Sequence, residues 1–549
     1  MTLQGRSSFT FRVSRKVDVT VGASVSLLLL ILPRMSMQHR TQRTSEVLTF
    51  SPATGSGRRK KSRISRLCQI GLALGALAGT FGIAQAEPTV STALTPALQP
   101  ASLPAADAAF VDDLEKRTFN WFWETANPKN GLVPDRAPLP NGAASIASVG
   151  FGLTAYGIGV ERHYITRQQA VDRTLTTLRF LASLPQNDHV LGAAGYKGFF
   201  YHFLDPNTGL RVADWSELSS VDTALLMGGV LFSQSYFDHD TPQEKEIRDV
   251  ADKLYRRIDW TWMKARGPWL SMGWMPPHTF LPSDWKGYNE GLIIYLQALG
   301  SPTHPLPAET WKAWTATYEN QWGDFQGHKL LNFAPMFGHQ YSESWIDFRG
   351  VQDAWDRAHN VDYFQNGREA AYAQRAYAQA NPGDWKDYGP NIWGLTACDG
   401  PGDAQQVYDG KKRHYLAYSA RGAGRDYILD DGTIAPTAVG GSIAFAPEIA
   451  LPALKEMRAR YGDRIYNKYG FLDAFNPSFA DQKSYWVDGQ QLGIDQGPIL
   501  LMLENWRSGL VWNTMKKNVY LRTGLERAGF QGGWMRTKTA TSKPVGQSL

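Results

Sequence analysis

The sequence predicts an all-α protein folded as an (α/α)6 toroid, a barrel of six helical hairpins in a single domain. From Phe110 onward the hydrophobic period is helical and almost no alternating strand pattern occurs. About twelve helices can be counted, some charged on one face and others apolar nearly all round, which suits an outer and an inner ring. The sequence contains no 34- or 40-residue repeat of the kind that would indicate a solenoid. Another helical array would have the same periodicity.

The predicted helices follow one another through short connections. The first begins near Phe110. A capping box of Thr166 and Gln169 opens a helix over 166–184, and Thr241 before Pro242 opens one that reaches about residue 259. The others are predicted over 148–161, 219–236, 288–299, 307–321, 342–356, 360–380, 445–461, 492–508 and 510–528.

The composition is that of a globular protein with a sizeable core. Of 549 residues, 43% are hydrophobic and 20% are charged. The 19 Trp residues favour flat surfaces on which a ligand can stack, although Trp also fills cores. Beyond the leader Cys398 is the only cysteine, which excludes an internal disulfide. No Cys/His cluster has zinc spacing and no H-E-x-x-H occurs, so neither a metal nor a cofactor is predicted.

The basic balance of the chain comes from its beginning. The first 86 residues hold 13 Lys and Arg but two acids, so they carry +11, and a whole-chain charge of +6 leaves about −5 for the rest. An acidic remainder has no electrostatic footprint for nucleic acid. The excess therefore belongs to a leader.

That leader, residues 1–86, ends in a signal peptide. Residues 58–66 form a charged n-region, 67–83 an apolar h-region, and Ala84-Gln85-Ala86 an A-x-A site that predicts cleavage after Ala86. The upstream part suggests a start codon assigned too early, with Met35 or Met37 the true start. An extended leader or an uncleaved anchor is the alternative. We expect a periplasmic or secreted protein of a Gram-negative bacterium, without a stable membrane span after cleavage.

Three further segments follow the leader. Residues 87–109 form a Pro/Ala-rich linker, 110–530 the main helical domain, and 531–549 a polar C-terminal tail.

Five acidic, aromatic, glycine-rich segments each lead into an apolar helix. One carboxylate at a helix start is usually only a cap, but five such starts suggest a pocket where helices converge on a sugar-like ligand. They are Asp214–Gly229, Gly287–Gly300, Gly338–Gly350, Asp430–Ser442 and Leu492–Asn505.

Glycoside cleavage needs one acid to protonate the leaving oxygen and a second group to activate water or attack the sugar. Glu290 is the foremost candidate acid because the apolar run after it would raise its pKa. A first-turn Glu stabilised by the helix dipole is the alternative. Glu217, Asp222 and Asp495 are further catalytic candidates, and each of the two Asp residues could instead be a helix-start residue. Spacing of five would put Glu217 and Asp222 on different sides of a regular helix.

Three other polar residues of these segments are candidate ligand contacts: Asp214, His339 and Arg349. A buried histidine would explain His339 equally well, and an ion-pair network would explain Arg349.

The sequence lacks the motifs of other catalytic chemistries. The chain has no G-x-S-x-G elbow, no P-loop and no G-x-G-x-x-G after a strand.

Six motifs resemble a known family in the right order. They are SELSSVDTALL, YNEGLIIYLQALGSPTHPLP, HQYSESWIDFRG, WGLTACDGP, DGTIAPTAVGGSIAFAPE and GIDQGPILLMLENWRSGL. Together they are similar to the bacterial glucoamylase-like domain, which includes the endo-β-1,2-glucanases of glycoside hydrolase family 144. The resemblance covers Phe110 to Phe530 and makes 110–530 the predicted catalytic domain.

The resemblance implies an (α/α)6 barrel that hydrolyses linear β-1,2-glucan to sophoro-oligosaccharides with anomeric inversion. It places the general acid at Glu290 and the cleft lining around Glu217, Asp222 and Asp495. The base stays open, since related enzymes can activate water through a substrate hydroxyl. Candidate stacking platforms for the glucan are Trp215, Tyr288, Trp345 and Trp393.

Three functions remain open at this stage. The first is an endo-β-1,2-glucanase. The second is an exo-acting sophorohydrolase or a transglycosylase, and the third is a non-catalytic glucan-binding protein. We expect β-1,2-glucan or sophoro-oligosaccharides as the only partner, and a monomer.

Overall fold

The computed structural model describes residues 99–139, 142–212, 215–480 and 484–536. The predicted leader, linker residues 87–98 and tail residues 537–549 lie outside these ranges. Within them, none of the helices has the length and apolar character needed to cross a membrane.

Sixteen α-helices are formed in the described ranges, ten of them with nine or more residues. Their bounds are α1 Ala105–Thr125, α2 Ile146–Glu161, α3 Arg167–Ser183, α4 Ser220–Tyr236, α5 Pro242–Arg256, α6 Trp260–Met263, α7 Leu292–Gly300, α8 Glu309–Thr315, α9 Phe337–Gln340, α10 Ala354–His359, α11 Tyr363–Ala380, α12 Pro436–Gly440, α13 Pro447–Tyr461, α14 Gly493–Arg507, α15 Leu510–Met515 and α16 Val519–Ala528.

The strands of the described ranges are short, and all but one of their sheets are two-stranded; β6, β7 and β8 form the exception. Their bounds are β1 Arg136–Ala137, β2 Ala144–Ser145, β3 Gly195–Tyr196, β4 Phe199–Phe200, β5 Phe203–Leu204, β6 Leu218–Ser219, β7 Gly273–Met275, β8 Thr279–Phe280, β9 Trp322–Phe325, β10 His328–Leu331, β11 Val351–Gln352, β12 Ala397–Cys398, β13 Ala404–Tyr408, β14 Lys411–Tyr415, β15 Ser419–Ala420, β16 Gly422–Ala423, β17 Ile428–Leu429, β18 Tyr466–Asn467, β19 Gly470–Phe471, β20 Phe475–Asn476, β21 Trp486–Val487, β22 Gln491–Leu492 and β23 Gln531–Gly532.

Most predicted helices are confirmed within a few residues, and so are the two predicted N-caps. Thr166 and Gln169 form the capping box of α3, and Thr241 caps α5. The helix predicted over 342–356 is wrong. That stretch holds one 3-10 turn, Ser342–Ser344, then β11 and the start of α10, because Gly350 adopts a left-handed φ of 67° that ends any helix.

The ends of the domain also differ from the prediction. Helix α1 begins at Ala105, inside the predicted linker. The predicted helix over 510–528 is two helices, α15 and α16, with the Asn518 side chain capping the second. Strand β23 pairs with β11, so the first residues of the predicted tail belong to the fold.

Two kinds of helix occur, as predicted. Helices α2, α4, α7 and α14 are buried on nearly all sides, whereas α3, α5 and α11 bury one face and expose the other. A helix that is apolar all round must lie inside the fold. The inner helices therefore form the centre on which the site is built.

Neighbouring inner helices contact one another. Helix α2 lies against α4 and α14, α4 against α7, and α12 against α14. The amide of Ile293 in α7 donates to Ser342 Oγ at 3.1 Å, and Gln340 of α9 donates to the carbonyl of Ala438 in α12 at 2.9 Å. Helices α2 and α4 approach so closely that a Cβ at Gly229 would lie 2.0 Å from the Gly150 carbonyl oxygen.

Candidate active site

The starts of three inner helices adjoin at one end of the fold. Two-residue strands β2, β6 and β22 run directly into α2, α4 and α14. The amide of Ile146 donates to the His202 carbonyl at 3.3 Å, and the His202 amide donates to the Glu217 carbonyl at 2.8 Å. The Gly493 amide donates to the Asp135 carbonyl at 2.8 Å. These bonds bring side chains from distant parts of the sequence to a common place.

His202 lies between two of the predicted acids. Its Nδ1 is 2.9 Å from Glu217 Oε1, and its Nε2 is 3.5 Å from Asp222 Oδ1. Ser219 Oγ donates to Asp222 Oδ2 at 2.5 Å. Glu217 precedes β6 rather than lying on α4, so the expected separation of Glu217 and Asp222 on a regular helix does not apply. Both carboxylates meet at one imidazole.

The charges of this group stabilise one another. Burial alone would lower the pKa of His202, but the carboxylates of Asp222 and Glu217 outweigh it and raise that pKa to about 9. Burial would raise the pKa of Glu217, yet the His202 cation holds it below its usual value. Burial raises the pKa of Asp222. Near neutral pH, His202 is therefore a cation.

Glu290 lies in the turn before α7. Its side chain is half-buried, and its Oε2 is shielded from solvent without a hydrogen-bond partner. Burial raises the pKa of Glu290 to about 7, and the charge of Asp222 adds to the rise. A carboxyl group in this state can hold a proton near neutral pH and donate it, as a general acid must.

Tyr341 interacts electrostatically with three of the predicted acids. Burial raises the pKa of its hydroxyl well above the usual value, and the carboxylates of Asp495, Glu290 and Asp222 add to the rise in that order of effect among the acids. Three acids from α4, the turn before α7 and α14 thus lie within electrostatic reach of one buried phenol. Three of the five predicted segments supply them.

Asp495 lies on the first turn of α14 in a second acidic group. Its side chain is buried, its Oδ2 lacks a partner, and burial raises its pKa. Burial likewise raises the pKa of the neighbouring Asp473, whose Oδ2 accepts from the Asp399 amide at 2.8 Å. Arg136 pairs with Asp399 and, at 3.1 Å, with Asp135.

Two groups in the described ranges have the donor atoms of a metal site. His202, Glu217 and Asp222 each bring one such atom within 4.8 Å of the others, as do Asp399, Asp473 and Asp488. In the first group the donor atoms already bond within the protein, His202 Nδ1 to Glu217 Oε1 at 2.9 Å and Asp222 Oδ2 to Ser219 Oγ at 2.5 Å. The second offers the carboxylate oxygens that hard cations prefer, with Arg136 already beside it.

Among the predicted stacking residues, Trp215 has an open face. Its side chain is 36% exposed, and its ring centroid lies 5.4 Å from that of Phe203, which in turn stacks on His202 at 3.9 Å. The rings of Phe203 and Trp215 therefore connect His202 to the protein surface. Asp214, predicted next to it, lies outside the described residues.

The other predicted platforms are enclosed. Trp345 and Trp393 are 0% exposed, and Trp345 packs on Phe151 at a centroid distance of 4.7 Å, so neither ring offers a face to a ligand in this structure. Tyr288 and His339 are also buried and bond each other at 3.1 Å. Burial lowers the pKa of His339 to about 4, which makes it a neutral packing residue.

Arg349 is engaged by Asp347, which is not one of the acids that act on Tyr341. It pairs with both carboxylate oxygens of Asp347 at 2.7 and 2.8 Å, and its guanidinium lies over the ring of Trp512 at 4.4 Å. Lys516 contacts the same carboxylate at 2.6 Å. These contacts are those of an ion-pair network between elements.

Four residues around the predicted acids were not expected from the sequence: His202, Tyr341, Asp399 and Asp473. His202 stands in an aromatic run, GYKGFFYHFLDPNTG, between glycine turns. Such a position gives little signal, because the partners of the histidine come from the residue before β6 and from the first turn of α4, which are distant in the sequence. Tyr341 follows a predicted ligand residue but resembles ordinary core.

The chain matches a family model and several solved structures. The Glycoamylase model, described as "Putative glucoamylase", matches residues 282–519, which include Glu290 and Asp495. A crystal structure from Bacteroides uniformis with the same description is 30% identical, covering 79% of this chain and 100% of its own, with a TM-score of 0.68. An endo-β-1,2-glucanase from Chitinophaga pinensis, in complex with sophorotriose and glucose, is 30% identical over 78% of this chain and 99% of its own, with a TM-score of 0.67.

Another relative is named as an exo-acting enzyme. The exo β-1,2-glucooligosaccharide sophorohydrolase (non-reducing end) of Parabacteroides distasonis is 27% identical over 454 residues. The match covers 77% of this chain and 58% of that protein, so the chain spans little more than half of that relative's length.

Proposed function

This chain belongs to the glucoamylase-like family of glycoside hydrolases, and from that premise we propose that it cleaves linear β-1,2-glucan. The observation that carries the proposal is Glu290, a half-buried carboxyl with a solvent-shielded, unpartnered oxygen and a pKa raised to about 7 beside Asp222. The solved relative named as an endo-β-1,2-glucanase was crystallised with a sophoro-oligosaccharide, which supports this substrate class.

In the proposed reaction Glu290 is the general acid. It protonates the glycosidic oxygen as the bond to the anomeric carbon breaks, and a water molecule attacks from the opposite face with inversion. Burial keeps the proton on Glu290 until the leaving oxygen takes it. Glu217, Asp222 and Asp495 are the candidates to bind the sugar or to take the proton of the water.

We also propose that the helices form the (α/α)6 toroid. The contacts between inner helices support it, because they can be followed from α2 through α4 and α7 to the 3-10 turn that follows α9, and from α9 through α12 and α14 back to α2. The one-sided helices would make the outer ring. The predicted cleft at one end of the inner ring would then hold the three helix starts and Glu290.

The endo mode is our first proposal, and the exo-acting sophorohydrolase is the second because of the name of the Parabacteroides relative. Linear β-1,2-glucan digestion with time-resolved chromatography separates the two. Endo action gives a range of sophoro-oligosaccharides from the start, and exo action gives one disaccharide from the first minutes. Intact β-1,2-glucan alongside cleavage of an α-1,4 or β-1,3 polymer would contradict the substrate assignment.

The proposals on cellular context rest on the sequence alone. We propose an exported, monomeric protein whose leader is removed after Ala86 and whose catalytic domain runs from α1 to β23. N-terminal sequencing of the protein isolated from its host and light scattering of the purified chain test these points.

A further inference from the structure

Every polar group of His202 is engaged. Its amide donates to Glu217, its carbonyl accepts from Ile146, and its two ring nitrogens face Glu217 and Asp222 at 2.9 and 3.5 Å. Phe203 stacks on the ring with an interplanar angle of 12°, which restricts its rotation. The imidazole is therefore fixed in position as well as bonded.

Glu217 has one oxygen left over. Its Oε1 meets His202, while its Oε2 is solvent-shielded and has no hydrogen-bond partner. Buried polar atoms without partners are rare in folded proteins. This oxygen is therefore available to a water molecule or a sugar hydroxyl that enters the site.

We propose that His202 is a positioning residue for the reaction: as a cation between Glu217 and Asp222, it holds both carboxylates ionised and oriented, and Asp222 in turn acts electrostatically on Glu290. The inference rests on the proposed function. Without a cation there, two buried carboxylates would face each other across the vacated space, and one of them would take up a proton. Asp222 would then lose the charge that favours the protonated form of Glu290.

The charged groups that act on the pair come from several elements of the described ranges. His202 is faced by Glu217, Asp222 and, at longer range, Asp135. Glu290 interacts with Asp222 and contributes to the pKa rise of Tyr341 and Tyr427. Arg211, whose charge lowers the pKa of Glu217, is the nearby cation from the preceding segment.

The test compares His202→Gln with the wild type in the pH dependence of kcat/KM on linear β-1,2-glucan. We expect the acidic limb to move upward by about 1–3 pH units, since Glu217 and Asp222 lose their cation. We expect kcat to fall about 10²-fold while KM changes far less. Imidazole added to His202→Ala should restore part of kcat. His189→Gln, a change at an exposed histidine, serves as control and should leave the profile unchanged.

A pH profile of His202→Gln that superimposes on that of the wild type would overturn the inference. So would a failure of imidazole to act on a His202→Ala protein that melts as the wild type does. Imidazole NMR tests the same point without any substrate. The resonance that disappears in His202→Gln should titrate at about 9, and titration below 7 would contradict the proposal. If the wild type left β-1,2-glucan intact, the proposed function would fail while this titration still decided the state of His202.

Discussion

At Glu290, burial and a neighbouring anion act in the same direction, since both disfavour the ionised carboxyl. Glu290→Gln keeps the shape of the side chain but removes the proton that the leaving oxygen needs. We expect kcat/KM on linear β-1,2-glucan to fall by about 10²–10⁴-fold. Glu309→Gln is the matched control, a first-turn Glu of α8 that is exposed and should keep full activity. Retention of more than a tenth of the activity by Glu290→Gln would mean that another group donates the proton.

The pH profile gives a second prediction at the residue scale. Because Glu290 acts in its protonated form, kcat/KM should fall as the pH rises through about 7. Asp222→Asn removes a charge that raises the pKa of Glu290, so the alkaline limb of that variant should move to lower pH. A limb that stays in place would show that Asp222 does not act on the acid.

At the scale of elements, the inner helices depend on close approach of backbones. Gly229→Ala would place a Cβ 2.0 Å from the Gly150 carbonyl oxygen, so α2 and α4 would have to separate. Chemical denaturation should show a loss of about 1–3 kcal/mol in the free energy of unfolding. Alanine normally stabilises a helix relative to glycine, so a loss of stability in Gly229→Ala would have to come from the packing of α2 against α4. Gly489→Ala, at an open position, is the control and should change stability by less than about 0.5 kcal/mol. An unchanged or raised stability of Gly229→Ala would contradict the packing.

The helices and their two kinds could be predicted because apolar period and capping residues are local properties of the sequence. Glu290 could be proposed for the same reason, since an apolar run follows it directly in the sequence. The short strand pairs could not be predicted, because a strand of two residues is too short to show a hydrophobic period. The role of His202 could not be predicted either, since Glu217 and Asp222 reach it only after Tyr201 pairs with Leu218 and α4 begins. Trp345 and Trp393 failed as platforms because an aromatic side chain has the same pattern in a core and at a ligand.

At the scale of the whole molecule, helices α1, α2 and α14 are joined by ion pairs around the buried Glu115. Arg507 at the end of α14 pairs with Glu115 of α1, which is 0% exposed, and Arg162 pairs with Glu115 and Glu504. Burial and the charge of Glu504 raise the pKa of Glu115 to about 8, above its ordinary value of 4.5. The stabilising contribution of protonated Glu115 is complete below 4.5 and is lost as the pH rises through 8.

Arg507→Gln therefore has a pH-dependent cost. Near pH 6 Glu115 is protonated and the loss is small, but near pH 9 an ionised Glu115 would lack one of its arginines. We expect a loss of about 3 kcal/mol in the free energy of unfolding at the higher pH. Arg179→Gln, which breaks an exposed pair with Glu246, should cost less than about 1 kcal/mol at both. An equal loss at both pH values for Arg507→Gln would contradict this account of Glu115.

The most direct test of the central claim is proton NMR of linear β-1,2-glucan during its first minutes with the purified protein and with Glu290→Gln. We predict new reducing ends that appear first as the α-anomer in the wild-type sample, because inversion of a β linkage gives that product, and almost none with Glu290→Gln. Reducing ends that appear first as the β-anomer, or at the same rate with Glu290→Gln, would contradict an inverting reaction with Glu290 as its acid.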